Sequence, residues 1–254
     1  GIPYDQTALS TGETFTKEHL EEFNGMGYTA LLVNLDETST GQLYDITLLS
    51  EFCKANGMYL IVDAISAFLA DEISMSKYGI DALIISSQKA LALEPGISMV
   101  VLSPRAYSER AITIKSPTYY LDLKHHILDQ ERGQTPFTPA VGTLLCLNDM
   151  LHMVDDIGID EKIRRTRTLA EYFRQCAMDI GLRIPTYPLS NAVTPILFDG
   201  DAMEVYKRLN DGYGITVTPS GGELKAHMLR VGHIGNLDKT DYDVLISALK
   251  EILQ

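Results

Sequence analysis

Basic residues are scarce in this chain, and cysteine is scarcer still. Lys and Arg together number 21 against 34 Asp and Glu, a formal net charge of -13. So acidic a balance argues against polyanionic partners, and nucleic acid and anionic membrane surfaces are not expected. The three cysteines, Cys53, Cys146 and Cys176, are far apart and form no Cys-x-x-Cys pair. Neither a zinc site nor a disulfide framework is indicated, and reduced thiols in the cytoplasm are expected. The six histidines show no His-Glu-x-x-His spacing, so no metal is expected. No apolar run approaches the roughly 18 residues needed to span a bilayer. The opening residues Gly1 to Gln6 lack the basic start and apolar stretch of a signal peptide. Repeats and low-complexity tracts are missing as well.

What is present is an ordinary globular composition, 254 residues with 45% apolar and 22% charged. That is enough for one large domain or two smaller ones. Short apolar runs rich in β-branched residues recur at Ala30–Leu35, Met58–Val62, Ala82–Ile85 and Ser98–Leu102. These read as strands, the first three buried and Ala82–Ile85 on both faces. Helical spacing lies between them, at Ile46–Asn56, closed by Gly57, and more briefly at Ser74–Tyr78, closed by Gly79. Thr16–Phe23 reads as a short helix before them. The alternation is that of an α/β sheet. Beyond Pro104 the pattern becomes helical, at Leu121–Gln130, Val141–Met153 and Ile159–Ile180, broken by Thr135-Pro136-Phe137-Thr138-Pro139. The remainder reads as a small α+β unit. Its strands are expected at Ala192–Phe198, Ile215–Val217 and Met228–Val231, and its helices at Ala202–Asn210 and Tyr242–Leu253. Ser220-Gly221-Gly222 reads as a turn. A domain boundary is expected between residues 157 and 158.

Three strands end in chemistry. Ala30–Leu35 runs into Asp36-Glu37-Thr38-Ser39-Thr40-Gly41, Met58–Val62 into Asp63, and Ala82–Ile85 into Ser86-Ser87-Gln88-Lys89. Polar clusters directly after buried strands sit at the carboxyl edge of an α/β sheet, where such sheets bind ligands. A lone lysine at such a place usually snorkels to solvent. Held inside a site, its amine is desolvated and freed to form a Schiff base. A carboxylate at the neighbouring strand end is either its ion-pair partner or the second group of a pyridoxal phosphate site.

These segments, with Pro95-Gly96 and Leu229-Arg230-Val231-Gly232-His233-Ile234-Gly235, resemble those of class V pyridoxal-phosphate aminotransferases. They are most similar to the alanine–glyoxylate, serine–glyoxylate and 2-aminoethylphosphonate–pyruvate transaminases, and they keep the family order over nearly the whole chain. The resemblance implies the large domain of the type I PLP-transferase fold. Residues 1–157 would form the C-terminal part of that domain, with a mixed, mostly parallel, partial sheet. Residues 158–254 would form a smaller C-terminal α+β domain. It implies transamination between a small amino donor and an oxo acid such as glyoxylate or pyruvate, in a homodimer with a shared active site.

Residue by residue, the resemblance makes Lys89 the Schiff-base lysine and proton carrier, and Asp63 the partner of the pyridine nitrogen. Ile65 would pack on the ring, Thr38 lie near the phenolic oxygen, and Gln88 contact the phosphate, with help from Ser86. Thr138 and Thr135 would reach the phosphate of the neighbouring subunit's cofactor. Arg230 would grip the substrate carboxylate, and Arg132 is a further candidate cation. The family's glycine-rich phosphate turn and ring-stacking residue are not found in residues 1–30, so an N-terminal part is expected to be lacking. Weak cofactor binding and exposed apolar surface are then expected of these residues alone. Two rival readings are a lyase or desulfurase of the same fold and a truncated, non-catalytic module. Desulfurases of this class need a histidine just before the lysine and a cysteine on a mobile loop, whereas position 88 is Gln.

Overall fold

The structure, a computed structural model, describes residues 2–253. In chain order the elements begin with α1 (Glu18–Glu21), β1 (Ala30–Asn34), β2 (Asp36–Glu37), β3 (Gln42–Leu43), α2 (Ile46–Asn56) and β4 (Tyr59–Asp63). There follow α3 (Met75–Tyr78), β5 (Ala82–Ser86), β6 (Ser98–Leu102), α4 (Pro104–Ala106), α5 (Leu123–Glu131), α6 (Val141–Ile157) and α7 (Ile159–Asp179). The chain closes with β7 (Val193–Leu197), α8 (Ala202–Tyr213), β8 (Thr218–Pro219), β9 (Met228–Gly232) and α9 (Lys239–Leu253).

The main sheet has the order β1-β4-β5-β6, parallel except for the last pair. Its register sets Asn34 beside Asp63 and Asp63 beside Ile84. The alternation of side chains then separates two faces. Leu60, Val62, Leu83 and Ile85 point into a core closed by Ile46, Leu49 and Cys53 of α2. The helix starts where it does because the Asp45 side chain accepts from the amides of Thr47 and Leu48, and it ends on Gly57 in the left-handed conformation. Asp63, Ile84 and Leu32 lie on the other face. Leu32 is 73% exposed, so β1 is not the buried strand that its apolar run suggests. The run's composition could not reveal that β1 sits at the edge of the sheet.

A second core gathers Phe173 and Ala177 of α7 with Ile196, Leu209, Leu229, Leu245 and Leu249, around the antiparallel sheet β7-β9-β8. Two places depart from the sequence expectation. The run Asp36–Gly41 is not merely a polar loop: β2 and β3 pair across it as a hairpin. The strand expected at Ile215–Val217 forms two residues later, at Thr218–Pro219, because that is where the backbone meets β9.

Candidate active site

The chemistry-bearing residues meet at the carboxyl edge of β1, β4 and β5. Asp63 ends β4, and one of its carboxylate oxygens accepts from the Ile65 amide at 2.9 Å, a local turn that fixes its rotamer. It is half-buried, not buried as the strand pattern suggests, and among the described residues it makes no ion pair with Lys89. Ile65 is half-buried two residues on. One strand over, Ser86 ends β5 with its hydroxyl buried and unpartnered. Ser87 is fully buried and donates to the Glu94 carbonyl at 2.7 Å, which folds the following turn back on itself. That turn leaves Lys89 half-buried and Gln88 exposed. A cleft of about 350 Å³ lies elsewhere, at the amino ends of the same strands beside Thr29, Tyr59 and Ala82.

From β1 the site receives the turn that carries Thr38. Glu37 shapes it: one carboxylate oxygen accepts from the amide and hydroxyl of Ser39 at 2.9 and 2.6 Å, the other from Asn34 at 3.1 Å. Thr38 is half-buried, and its hydroxyl has no hydrogen bond among the described residues. Arg230 arrives from β9. Its guanidinium donates to the Thr38 carbonyl at 2.7 Å and the Pro219 carbonyl at 2.9 Å, leaving Nε buried without a partner. Burial lowers its pKa, and the nearby Glu37 carboxylate opposes that.

Below this edge lies a cluster that strand-end reasoning did not resolve. Asp36 is 6% exposed, and neither of its carboxylate oxygens has a partner. Burial first, then the neighbouring Asp71 carboxylate, pushes it up to about 7. The charge of Lys89 opposes this rise, though it is the smallest of the influences on Asp36. Asp71 is itself buried. It accepts from the Ser190 hydroxyl at 2.6 Å and the Asn191 side chain at 2.8 Å, and burial raises its pKa too. Arg174 donates to Thr194 beside them. His233, buried, bonds Thr194 at 2.7 Å and Tyr242 at 2.9 Å, and burial pushes it down to about 3. The Asp36 carboxyl was legible only as one polar residue in a run, because its partner acid is 35 positions away.

The other expected residues are not gathered in. Thr135 and Thr138 are exposed on the loop before α6, and Thr135 donates to the Phe137 carbonyl. Arg132 is exposed and paired with Asp129. Among the described residues no three His, Cys, Asp or Glu side chains gather as a metal site, and no helix is long and apolar enough to cross a membrane.

The donor set suits an anionic, carbonyl-bearing pyridine: an amine, a carboxylate and a free hydroxyl lie at adjoining strand ends, and two buried groups, Ser86 Oγ and Arg230 Nε, await partners. The sequence matches the family described as Aminotransferase class-V over residues 7–229. The small subunit of a soluble hydrogenase from a Synechococcus species is 31% identical over 88% of this chain and 59% of its own length. Serine–glyoxylate aminotransferase of Arabidopsis thaliana is 27% identical over 89% of this chain and 58% of its own. A crystal structure of alanine–glyoxylate aminotransferase from a Nostoc species superposes with a TM-score of 0.85 at 28% identity, covering 96% of this chain and 67% of that one. The chain thus spans about three fifths of the curated relatives named here, and its fold is that of the pyridoxal-phosphate transferases. Pyridoxal phosphate is the cofactor of these enzymes. The strand ends, their register and these likenesses agree: the chain belongs to the class V aminotransferase family.

Proposed function

We propose that this chain carries most of the active site of an aminotransferase that moves an amino group from a small donor to an oxo acid such as glyoxylate or pyruvate. The observation that carries this is the register of β4 and β5, which delivers Asp63 and the turn bearing Lys89 to one sheet edge. Pyridoxal phosphate, when bound, supplies a ring that accepts the electron pair left when an α-proton departs. The chain's own residues do the rest. Lys89 holds the cofactor through its amine and carries the proton to and from the substrate α-carbon. Asp63 keeps a proton on the ring nitrogen, and its half-exposed carboxylate is free to do so. Thr38 donates toward the phenolic oxygen, Ile65 covers one ring face, and Gln88 with Ser86 takes the phosphate. Thr135 and Thr138, exposed on their loop, serve the phosphate of a second copy in a homodimer. Arg230 takes the substrate carboxylate with its unpartnered Nε edge.

We further place a domain boundary at Gly158, between α6 and α7, and the protein in the cytoplasm, as its unpaired thiols favour. A desulfurase reading finds no nucleophile. Cys53 is buried and pushed up to about 11, and Cys146 and Cys176 lie on helices rather than on a mobile loop.

The test is borohydride reduction of the protein with pyridoxal phosphate, followed by peptide mapping, and a screen of amino donors against glyoxylate and pyruvate. A label on Lys89, lost with turnover in Lys89→Ala, is the expected result. Turnover retained by Lys89→Ala refutes the assignment.

A further inference from the structure

Four consecutive carbonyls of the turn that carries Thr38 are each held from the C-terminal part of the chain. Thr38 O accepts from Arg230 at 2.7 Å, Ser39 O from the Ser220 hydroxyl at 2.5 Å, and Thr40 O from the Tyr187 hydroxyl at 2.7 Å. Gly41 O accepts from the Ser190 amide at 2.9 Å. The hairpin has no local need of these bonds. It closes on itself through the Thr40 and Gly41 amides, which both donate to Glu37 O, and through the Glu37 carboxylate on Ser39. Its outward carbonyls would normally face water. Here their donors come from three places far apart in sequence: the lead-in to β7, the turn after β8, and β9 itself.

Two further features make the contact stiff. The second arm of Arg230 donates to Pro219 O, the residue before Ser220, so two of the donors are tied together. Gly41 has φ +68°, and a Cβ built there would lie 2.8 Å from Pro195 Cδ, so the hairpin approaches β7 as closely as a glycine allows. A turn bonded at every carbonyl cannot slide past its neighbour without breaking all four bonds.

We propose that Tyr187 and Ser220, acting with Arg230, are positioning residues: they set the Thr38 hydroxyl from the C-terminal core, so that a displacement of that core is carried to Thr38. The inference rests on the reading of Thr38 as a cofactor contact and extends it to residues that touch neither cofactor nor substrate. Arg230 is the point at which substrate enters the relay. A carboxylate taken at its Nε edge draws on the same guanidinium that holds Thr38 O, so occupancy of the substrate site is felt at the cofactor hydroxyl through one rigid planar group.

The experiment uses the full chain and two conservative variants, Tyr187→Phe and Ser220→Ala, each of which removes one donor. Amide hydrogen exchange is measured across residues 37–43 and, as an internal control, across β4 and β5. The dissociation constant of pyridoxal phosphate and the pH titration of its bound absorption are measured alongside. Each variant is expected to speed exchange in the turn by about fivefold, the worth of one hydrogen bond, with the β4 and β5 amides unchanged. The dissociation constant is expected to rise by about as much, with a displaced absorption titration. Exchange in the turn unchanged in both variants overturns the proposal, whatever the cofactor does. A loosened turn with wild-type affinity and titration refutes the relay to Thr38. Failure of the cofactor reading itself is recognised separately, by the absence of any borohydride label on Lys89 in the unmodified protein.

Discussion

Replacing Asp36 by Asn should stabilise this protein, and by an amount that depends on pH in a defined direction. The carboxyl is buried beside a second buried acid and has no hydrogen-bond partner, so its proton affinity is raised from an ordinary 3.8 to about 7. The folded chain therefore holds a proton that the unfolded chain has released, and stability falls as pH rises between these values. At roughly 1.4 kcal/mol per tenfold change in proton affinity, about 4 kcal/mol is lost between pH 4 and pH 7, after which the loss is complete. Asn is the neutral isostere of the protonated acid and escapes it. His233 masks the effect in the unmodified chain. Pushed down to about 3, it adds stability as pH rises from about 3 to 6.5, the opposite sign over nearly the same window. The difference between the two proteins cancels His233 and isolates the acid pair. Urea unfolding of both at a series of pH values from 4.5 to 8 is the assay. The difference should grow toward Asn with rising pH and level off above 7, reaching on the order of 3 kcal/mol. A difference that stays flat, or that favours Asp36 at pH 8, would refute the burial argument.

Other perturbations follow from single contacts. Gly41→Ala forces a Cβ against Pro195 in a left-handed backbone, and should cost about 2 kcal/mol or more in urea unfolding, with the loss concentrated at the hairpin. Arg105→Ala leaves buried Asp81, now bonded by Arg105 at 2.6 Å, without its cation; about 2 kcal/mol of destabilisation is expected in urea unfolding. Asp63→Asn should retain most cofactor affinity and lose most of the transamination rate; an unchanged rate would remove Asp63 from the chemistry.

The parallel strands, the helix α2 with its Asp45 cap and Gly57 stop, and the three polar strand ends could all be read from the sequence. Each is dictated by residues within a dozen positions of one another. Leu32 illustrates the limit of such reading. An apolar strand looks the same whether it lies inside a sheet or at its edge, and only the pairing of β1 with β4 alone decides its exposure. Arg230 was legible as a cation near a glycine-rich stretch, but its grip on the Thr38 carbonyl joins positions 192 apart.

What the residues determined unaided was the chemistry available, an amine, an acid and a hydroxyl each following an apolar strand, because short-range patterning decides where strands stop. What tertiary structure alone decided was which of these groups keep a full shell of partners. Asp36 became a proton-holding acid because the fold buries it out of reach of water and then lays Asp71 nearby. The Thr38 turn became a clamped element because Tyr187, Ser190, Ser220 and Arg230 converge on it from the far end of the chain. Desolvation and hydrogen bonding depend on proximity in space, and no local pattern of residues encodes that proximity.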